Sequence, residues 1–223
     1  MTKTPGFQSV TGIAAPLMRE NIDTDVIIPS REITSPSREG YGPKLFAPWR
    51  YLSPGGPENP DFILNRGPWR RAQILLAGRN FGCGSSREMA VWALLQFGIR
   101  CVIAPSFGAI FRNNGIRNGL LPVELRDEQV QALAQRAVQG ELTLQVDLQA
   151  QSVREVPGGH RTDSGAAQAM ETALAFSFAF DADDRDTLLT GRDAIDRAWE
   201  HREAIEAFEQ GDRRRRPWAW PQT

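Results

Sequence analysis

Eleven residues near the middle of the chain, Gly78-Arg79-Asn80-Phe81-Gly82-Cys83-Gly84-Ser85-Ser86-Arg87-Glu88, hold its densest concentration of reactive groups. They follow the apolar run Ala72 to Ala77 and precede a helically spaced segment, so they read as a turn joining a buried strand to a helix. The first amides of a helix are unpaired, and the helix dipole makes that end electropositive. Gly82 and Gly84 withdraw side chains there, so an anion can approach the main chain. Ser85 and Ser86 add hydroxyls, and Arg87 adds a guanidinium able to grip a carboxylate through two hydrogen bonds. The chemistry on offer is the binding of a small anion. From the residues alone a plainer reading stays open, since glycine-rich strand-to-helix turns are common and serine at a helix start often only caps it. The turn has neither the lysine of a nucleotide phosphate loop nor the G-x-G-x-x-G of a dinucleotide site.

Other inventories narrow the field. Two cysteines, Cys83 and Cys101, and two histidines, His160 and His201, make a poor set for a metal site. An iron–sulfur cluster asks for three or four cysteines, so no metal is expected on this chain itself. Residues 1–8 hold one lysine and no apolar centre, so a secretory signal is not expected and the thiols are expected to be reduced. No apolar run approaches the roughly 20 residues of a membrane span. A net charge of -1 gives no electrostatic case for nucleic acid or an anionic membrane as partner. A soluble, cytoplasmic chain is expected.

The elements that must position the turn follow from pattern. Val10 to Ala14 reads as a strand, and Val26-Ile27-Ile28 as another ended by Pro29, with the polar turn Asn21 to Asp25 between them. Ser30 to Arg71, rich in Pro, Gly and aromatics, is too long for an ordinary loop and reads as a functional excursion. Then come a strand at Ala72 to Ala77, a helix at Arg87 to Phe97, a strand at Cys101 to Ala104, a helix at Ser106 to Arg112 and a strand at Leu120 to Leu125. That order implies parallel pairing with helical crossovers. A helix at Asp127 to Val138, with Asp127 as its cap, precedes strands at Glu141 to Asp147 and Gln151 to Val156. Ala166 to Phe180 fits helix and strand equally, and Ala194 to Phe208 reads as one amphipathic helix. The basic run Arg213 to Arg216, followed by Trp218 and Trp220, reads as a solvated tail or an oligomer contact, with a nucleic-acid patch as the rival. The whole is α/β, with 1–223 as one domain whose core spans about residues 10–150 and whose extension spans about 157–223.

Asn80 to Glu88, NFGCGSSRE, resembles the catalytic turn of the aconitase-family swivel domain. Asn21 to Pro29, NIDTDVIIP, resembles that family's N-terminal motif, and Ile103 to Val123 the segment after its catalytic helix. Leu45 to Asn65, with FAPWRYL and NPDFILN, is similar to the longer bacterial small subunits of the isopropylmalate branch. The resemblance implies a swivelling β/β/α domain with a mixed, partly parallel sheet flanked by helices. It implies a hydro-lyase that interconverts 2-isopropylmalate and 3-isopropylmalate, a step towards leucine. Activity would require a larger partner subunit carrying a [4Fe-4S] cluster, in a heterodimer or heterotetramer. By the same resemblance Ser85 is the base and Asp25 belongs to the active-site network. Ser86, Arg87 and Arg38 bind the carboxylates of a small dicarboxylate substrate.

The chain departs from the family after SSRE, where Met89 stands in place of a histidine, and at Asp181 to Asp193, where an expected basic stretch is largely acidic. These departures keep two alternatives in view. One is a paralogous small subunit acting on another substituted malate, such as methylmalate or citraconate. The other is a non-catalytic regulatory subunit.

Overall fold

The computed structural model describes residues 6–34, 37–156, 173–192 and 194–220. The chain divides into two compact units near residue 191.

The larger unit is built on one seven-stranded sheet in the order β4-β3-β2-β1-β5-β6-β7. Its strands are β1 (Ser9–Leu17), β2 (Ile74–Ala77), β3 (Cys101–Ala104), β4 (Leu121–Glu124), β5 (Thr143–Asp147), β6 (Ser152–Val156) and β7 (Ala175–Ser177). From β1 to β4 neighbours run parallel, and from β1 to β7 by way of β5 and β6 they run antiparallel. The sequence carries this split. ILLA and CVIA are buried at every position, as strands covered on both faces must be, whereas TLQVD alternates between half-buried and buried residues. Pro122, which cannot donate to a ladder, lies in β4 at the sheet edge. β1 serves both halves: Ser9 to Ile13 pair with β5 and Ala14 to Leu17 with β2.

Because side chains alternate along a strand, β2 and β3 feed two cores. Leu75, Ala77, Val102 and Ala104 pack on one face with helix α3 (Glu88–Phe97) and the long excursion. Ile74, Leu76, Cys101 and Ile103 pack on the other with helix α5 (Asp127–Gln139) and β5. Helix α4 (Ala109–Asn118) lies between β3 and β4 in the chain. It begins three residues later than its apolar spacing suggests because residues 106–108 are spent on another contact, described below.

Other local expectations are corrected. Val26 to Ile28 do not form a strand. Thr24–Ile27 is a one-turn helix, α1, because the Asp23 side chain accepts from the Val26 N–H at 2.7 Å and caps the turn. A local cap outweighs the extended preference of three apolar β-branched residues. Asp127 is not the cap of α5 but its first helical residue; Arg126 precedes it, with its N–H bonded to the Gln129 side chain at 3.0 Å. The aspartate instead stabilises the first turn through the helix dipole.

The acidic stretch has a structural explanation. Asp181 caps helix α6 (Ala182–Thr190) by accepting from Asp183 and Asp184 N–H, and Asp184 pairs with Arg112 of α4 at 2.7 Å. Met89, at the departure from the family, lies in the first turn of α3 and packs against the core. Of the ambiguous segment, residues 166–172 lie outside the described residues, and 175–177 form β7.

In the smaller unit, 194–208 is not one helix but parts of two, α7 (Ala194–Trp199) and α8 (Arg202–Arg215). The basic run closes α8: Arg216 grips the buried Asp212 through two bonds of 2.8 and 3.0 Å, and Trp220 donates to the same carboxylate at 3.2 Å. Among the described residues, no helix is long and apolar enough to cross a membrane.

The excursion folds around one buried cation. Helix α2 (Ala47–Arg50) ends in Arg50, whose guanidinium donates to Asn65 Oδ1 at 3.1 Å and Gly42 O at 3.2 Å and lies over the Phe97 ring of α3. It also pairs with Glu58 at 3.5 Å. Replacing it strands Asn65 Oδ1, whereas the Gly42 carbonyl keeps the Leu45 N–H at 3.2 Å and Glu58 keeps Arg70 at 2.5 Å. We therefore expect Arg50→Met to cost about 1–3 kcal/mol, the penalty of one unsatisfied, partly buried acceptor rather than of a lone buried charge. A lowered urea midpoint with an unchanged m-value checks this; no shift counts against Arg50 as the excursion's anchor.

Candidate active site

The turn after β2 is held from both sides by main chain. On one side the segment after β1 runs alongside it: Asn21 N–H donates to Arg79 O at 2.9 Å, Gly82 N–H to Ile22 O at 2.7 Å and Thr24 N–H to Cys83 O at 3.0 Å. On the other side lies the segment after β3. Phe81 N–H donates to Ser106 O at 3.1 Å, Gly108 N–H to Phe81 O at 2.9 Å and Asn80 N–H to Ser106 Oγ at 2.9 Å. The turn thus continues the parallel order β1, β2, β3 past the carboxyl ends of the strands, the usual place for a site in an open α/β sheet. Phe81 is wholly buried beneath it, edge-on to Phe111 with centroids 5.2 Å apart.

The two glycines of the expected anion site behave differently. Gly82 is buried with a φ of +74°, and a Cβ on it would come within 2.2 Å of the Phe111 ring. Its amide is already committed to Ile22, so it serves packing and a left-handed bend rather than approach by an anion. Gly84 also has a positive φ, +85°, but is exposed, and its missing side chain leaves that edge of the turn open.

Ser85 and Ser86 are exposed. Among the described residues neither hydroxyl has a hydrogen-bond partner, although Ser85 O accepts from Thr24 Oγ1 at 2.7 Å. The serines are not caps: α3 begins after Arg87 with no side chain bonded to its first amides. That leaves an uncapped helix start beside two free hydroxyls, an electropositive and polar patch.

Arg87 is mostly covered, with 15% of its side chain exposed, and its fork closes on the Asp25 carboxylate. Nη2 donates to Oδ2 at 2.8 Å, Nη1 donates to Oδ1, and Nη1 also reaches Ile28 O at 3.1 Å. Ser30 Oγ adds a bond to Asp25 at 3.3 Å. The structure therefore brings together Asp25, Arg87 and the Ser85 main chain. Arg38 is placed on the flank of α3, its guanidinium 5.1 Å from the Trp92 ring centroid, while its carbonyl accepts from Gln96. Gln96 also accepts from Tyr41 N–H at 2.7 Å, so this one side chain pins the loop that bears Arg38. Sequence reasoning overlooked both Thr24 and Gln96. Each sits within a recognisable segment, but their partners lie 61 and 55–58 residues away, a separation no local pattern reports.

Cys83 is half-buried, and burial together with the Asp23 carboxylate pushes its thiol up, so it stays protonated and unreactive near neutral pH. Cys101 is wholly buried in β3. These thiols do not fit an iron–sulfur cluster. Among the described residues no three His, Cys, Asp or Glu are grouped to hold a metal ion.

The hydrogen bonds from Arg87, more than its charge, hold the Asp25 carboxyl below the usual carboxylate range against partial desolvation. A depressed carboxyl stabilises the fold above its unfolded value and loses that contribution as pH falls through the folded value. With 55% of the Asp25 side chain exposed, the gain is small and screened by salt. We expect the Asp25 carboxyl, followed by NMR, to titrate below 3.8 in the native chain and to return towards 3.8 in Arg87→Met. Equal midpoints in the two chains would show that the pair does not form in solution.

The family profile of the aconitase C-terminal domain matches residues 4–128. A 3-isopropylmalate dehydratase small subunit from Cupriavidus necator is 49% identical over 215 residues, covering 95% of this chain and 96% of that one. Its counterpart from Dinoroseobacter shibae is 46% identical, covering 95% of this chain and 98% of that one. The crystal structure of a 3-isopropylmalate dehydratase from Methanocaldococcus jannaschii shares the fold with a TM-score of 0.56 at 23% identity, covering 90% of this chain and 99% of that one. With a profile match over more than half its length and relatives nearly half identical over almost all of it, this chain belongs to the aconitase C-terminal domain family, alongside the small subunits of 3-isopropylmalate dehydratase.

Proposed function

We propose that this chain is the small subunit of a cytoplasmic two-subunit hydro-lyase that interconverts 2-isopropylmalate and 3-isopropylmalate in leucine synthesis. The observation that carries the reading is the exposed Ser85 hydroxyl, unpartnered among the described residues, on a turn whose main chain is tied down on both sides. A hydroxyl that packs nothing and caps nothing is available for chemistry.

In this reading Ser85 Oγ takes a proton from the carbon next to the one bearing hydroxyl. The electron pair released forms the carbon–carbon double bond as hydroxide departs, and re-addition with proton and hydroxide exchanged gives the isomer. Serine is too weak an acid to be a base unaided, so its ionised form needs positive surroundings. This chain supplies the uncapped start of α3 and the Arg87 guanidinium. A cluster carried by the partner large subunit supplies the Lewis acidity, since the thiols here do not fit one. Ser86 and Arg87 take one substrate carboxylate and Arg38 the other. The Arg87 fork is already pre-set by Asp25, which holds it in one orientation and shares it with the substrate.

Co-expression with the large subunit tests this. Ser85→Ala is expected to lower turnover by about 10²–10⁴-fold while the complex still forms. Arg87→Lys is expected to raise KM and lower kcat, because an ammonium cannot reproduce a two-pronged grip. Full activity of the Ser85→Ala complex points instead to a non-catalytic subunit. A preference for a smaller substituted malate in the same assay reassigns the substrate and leaves the mechanism in place.

A further inference from the structure

We propose that Thr24 is a positioning residue for Ser85, its hydroxyl fixing the peptide that carries the base. This rests on the reading of Ser85 given above. Thr24 is buried, 2% exposed, in the single turn of α1. Its three polar groups are all engaged: N–H to Cys83 O at 3.0 Å, Oγ1 to Ser85 O at 2.7 Å, and carbonyl accepting from Ile28 N–H at 2.9 Å. Residues 80–82 of the turn are held by the segments after β1 and β3, and Arg87 is held through its side chain by Asp25. Between these anchors the chain passes through Gly84, at positive φ and exposed, where it is least constrained. Thr24 bridges that gap by bonding the carbonyls on either side of Gly84. A β-branched side chain is stiff at χ1, so the hydroxyl is delivered in a fixed direction. Asp25, the next residue, clamps Arg87. One helical turn thus sets both the proposed base and the proposed carboxylate grip.

The test uses the complex with the large subunit. Thr24→Val keeps the shape and removes the donor; we expect kcat to fall by about 10²-fold, as for a displaced reacting group, with KM little changed. Thr24→Ser, which restores the donor, should recover most of that turnover. In a Ser85→Ala background Thr24→Val should add no further loss, because the two residues act as one unit. Wild-type turnover in Thr24→Val, or Thr24→Ser as slow as Thr24→Val, overturns the proposal, the latter by showing that the methyl matters and the hydroxyl does not. An active Ser85→Ala single variant is a separate failure, of the functional reading, and is told apart by being measured alone. Amide hydrogen exchange on the uncomplexed full chain gives a readout independent of activity. Loss of the hydroxyl should speed exchange at the residue-24 amide, which is bonded to Cys83 O, while Phe81 and Gly82 stay protected, and unchanged or uniformly faster exchange at these amides speaks against it. If Thr24→Val does not fold, Thr24→Ala takes its place in both measurements.

Discussion

A turn that presents a hydroxyl to solvent cannot be anchored by burying that side chain, so its position has to come from elsewhere. Here it comes from backbone hydrogen bonds on both flanks. The segments after β1 and β3 grip residues 79–83 through main-chain amides and carbonyls, while Phe81 is buried beneath as the keel. Each such bond contributes about 1 kcal/mol net, but their value is geometric. They hold the turn in register with the sheet, so that the end of the parallel strands becomes a fixed platform. The glycines follow from this arrangement. Gly82 lets the main chain pass close to Phe111, and Gly84 lets it bend outwards.

The mixed sheet explains why the platform has this shape. β1 is paired parallel to β2 through one half and antiparallel to β5 through the other. Its carboxyl end therefore lies beside the end of β2, and the segment that follows it can reach along the turn after β2. The antiparallel extension β5-β6-β7 lies on the far side of β1 and closes the second core. The site draws on the parallel half.

Charge at the site is arranged for position more than for stability. The Asp25–Arg87 pair is two-pronged, yet its carboxylate is largely exposed, so its energetic worth is modest. Its effect is to hold the guanidinium in one fixed plane. Arg50 works differently. It is buried under the excursion, its donors spread over carbonyls and Asn65, and it organises a region poor in regular structure.

Sequence alone determined a good deal here. Continuous apolar runs at β2 and β3 announced buried strands, their order with the helices announced parallel pairing, and alternation at β5 announced a further strand. Those signals are local, because side-chain periodicity is set by backbone geometry within a few residues. Ser85 and Arg87 stood out for the same reason, as reactive types clustered in one short turn, whereas Asp25 entered only through the family resemblance. Tertiary structure decided the rest. Whether Val26 to Ile28 extend or coil depended on a cap at Asp23, and where α4 begins depended on residues 106–108 being drawn to Phe81. The pairing of Asp25 with Arg87, and of Thr24 with Ser85, joins residues about 60 apart. Local spacing carries no information about such pairs, since they exist only once the sheet has set the ends of β1 and β2 side by side.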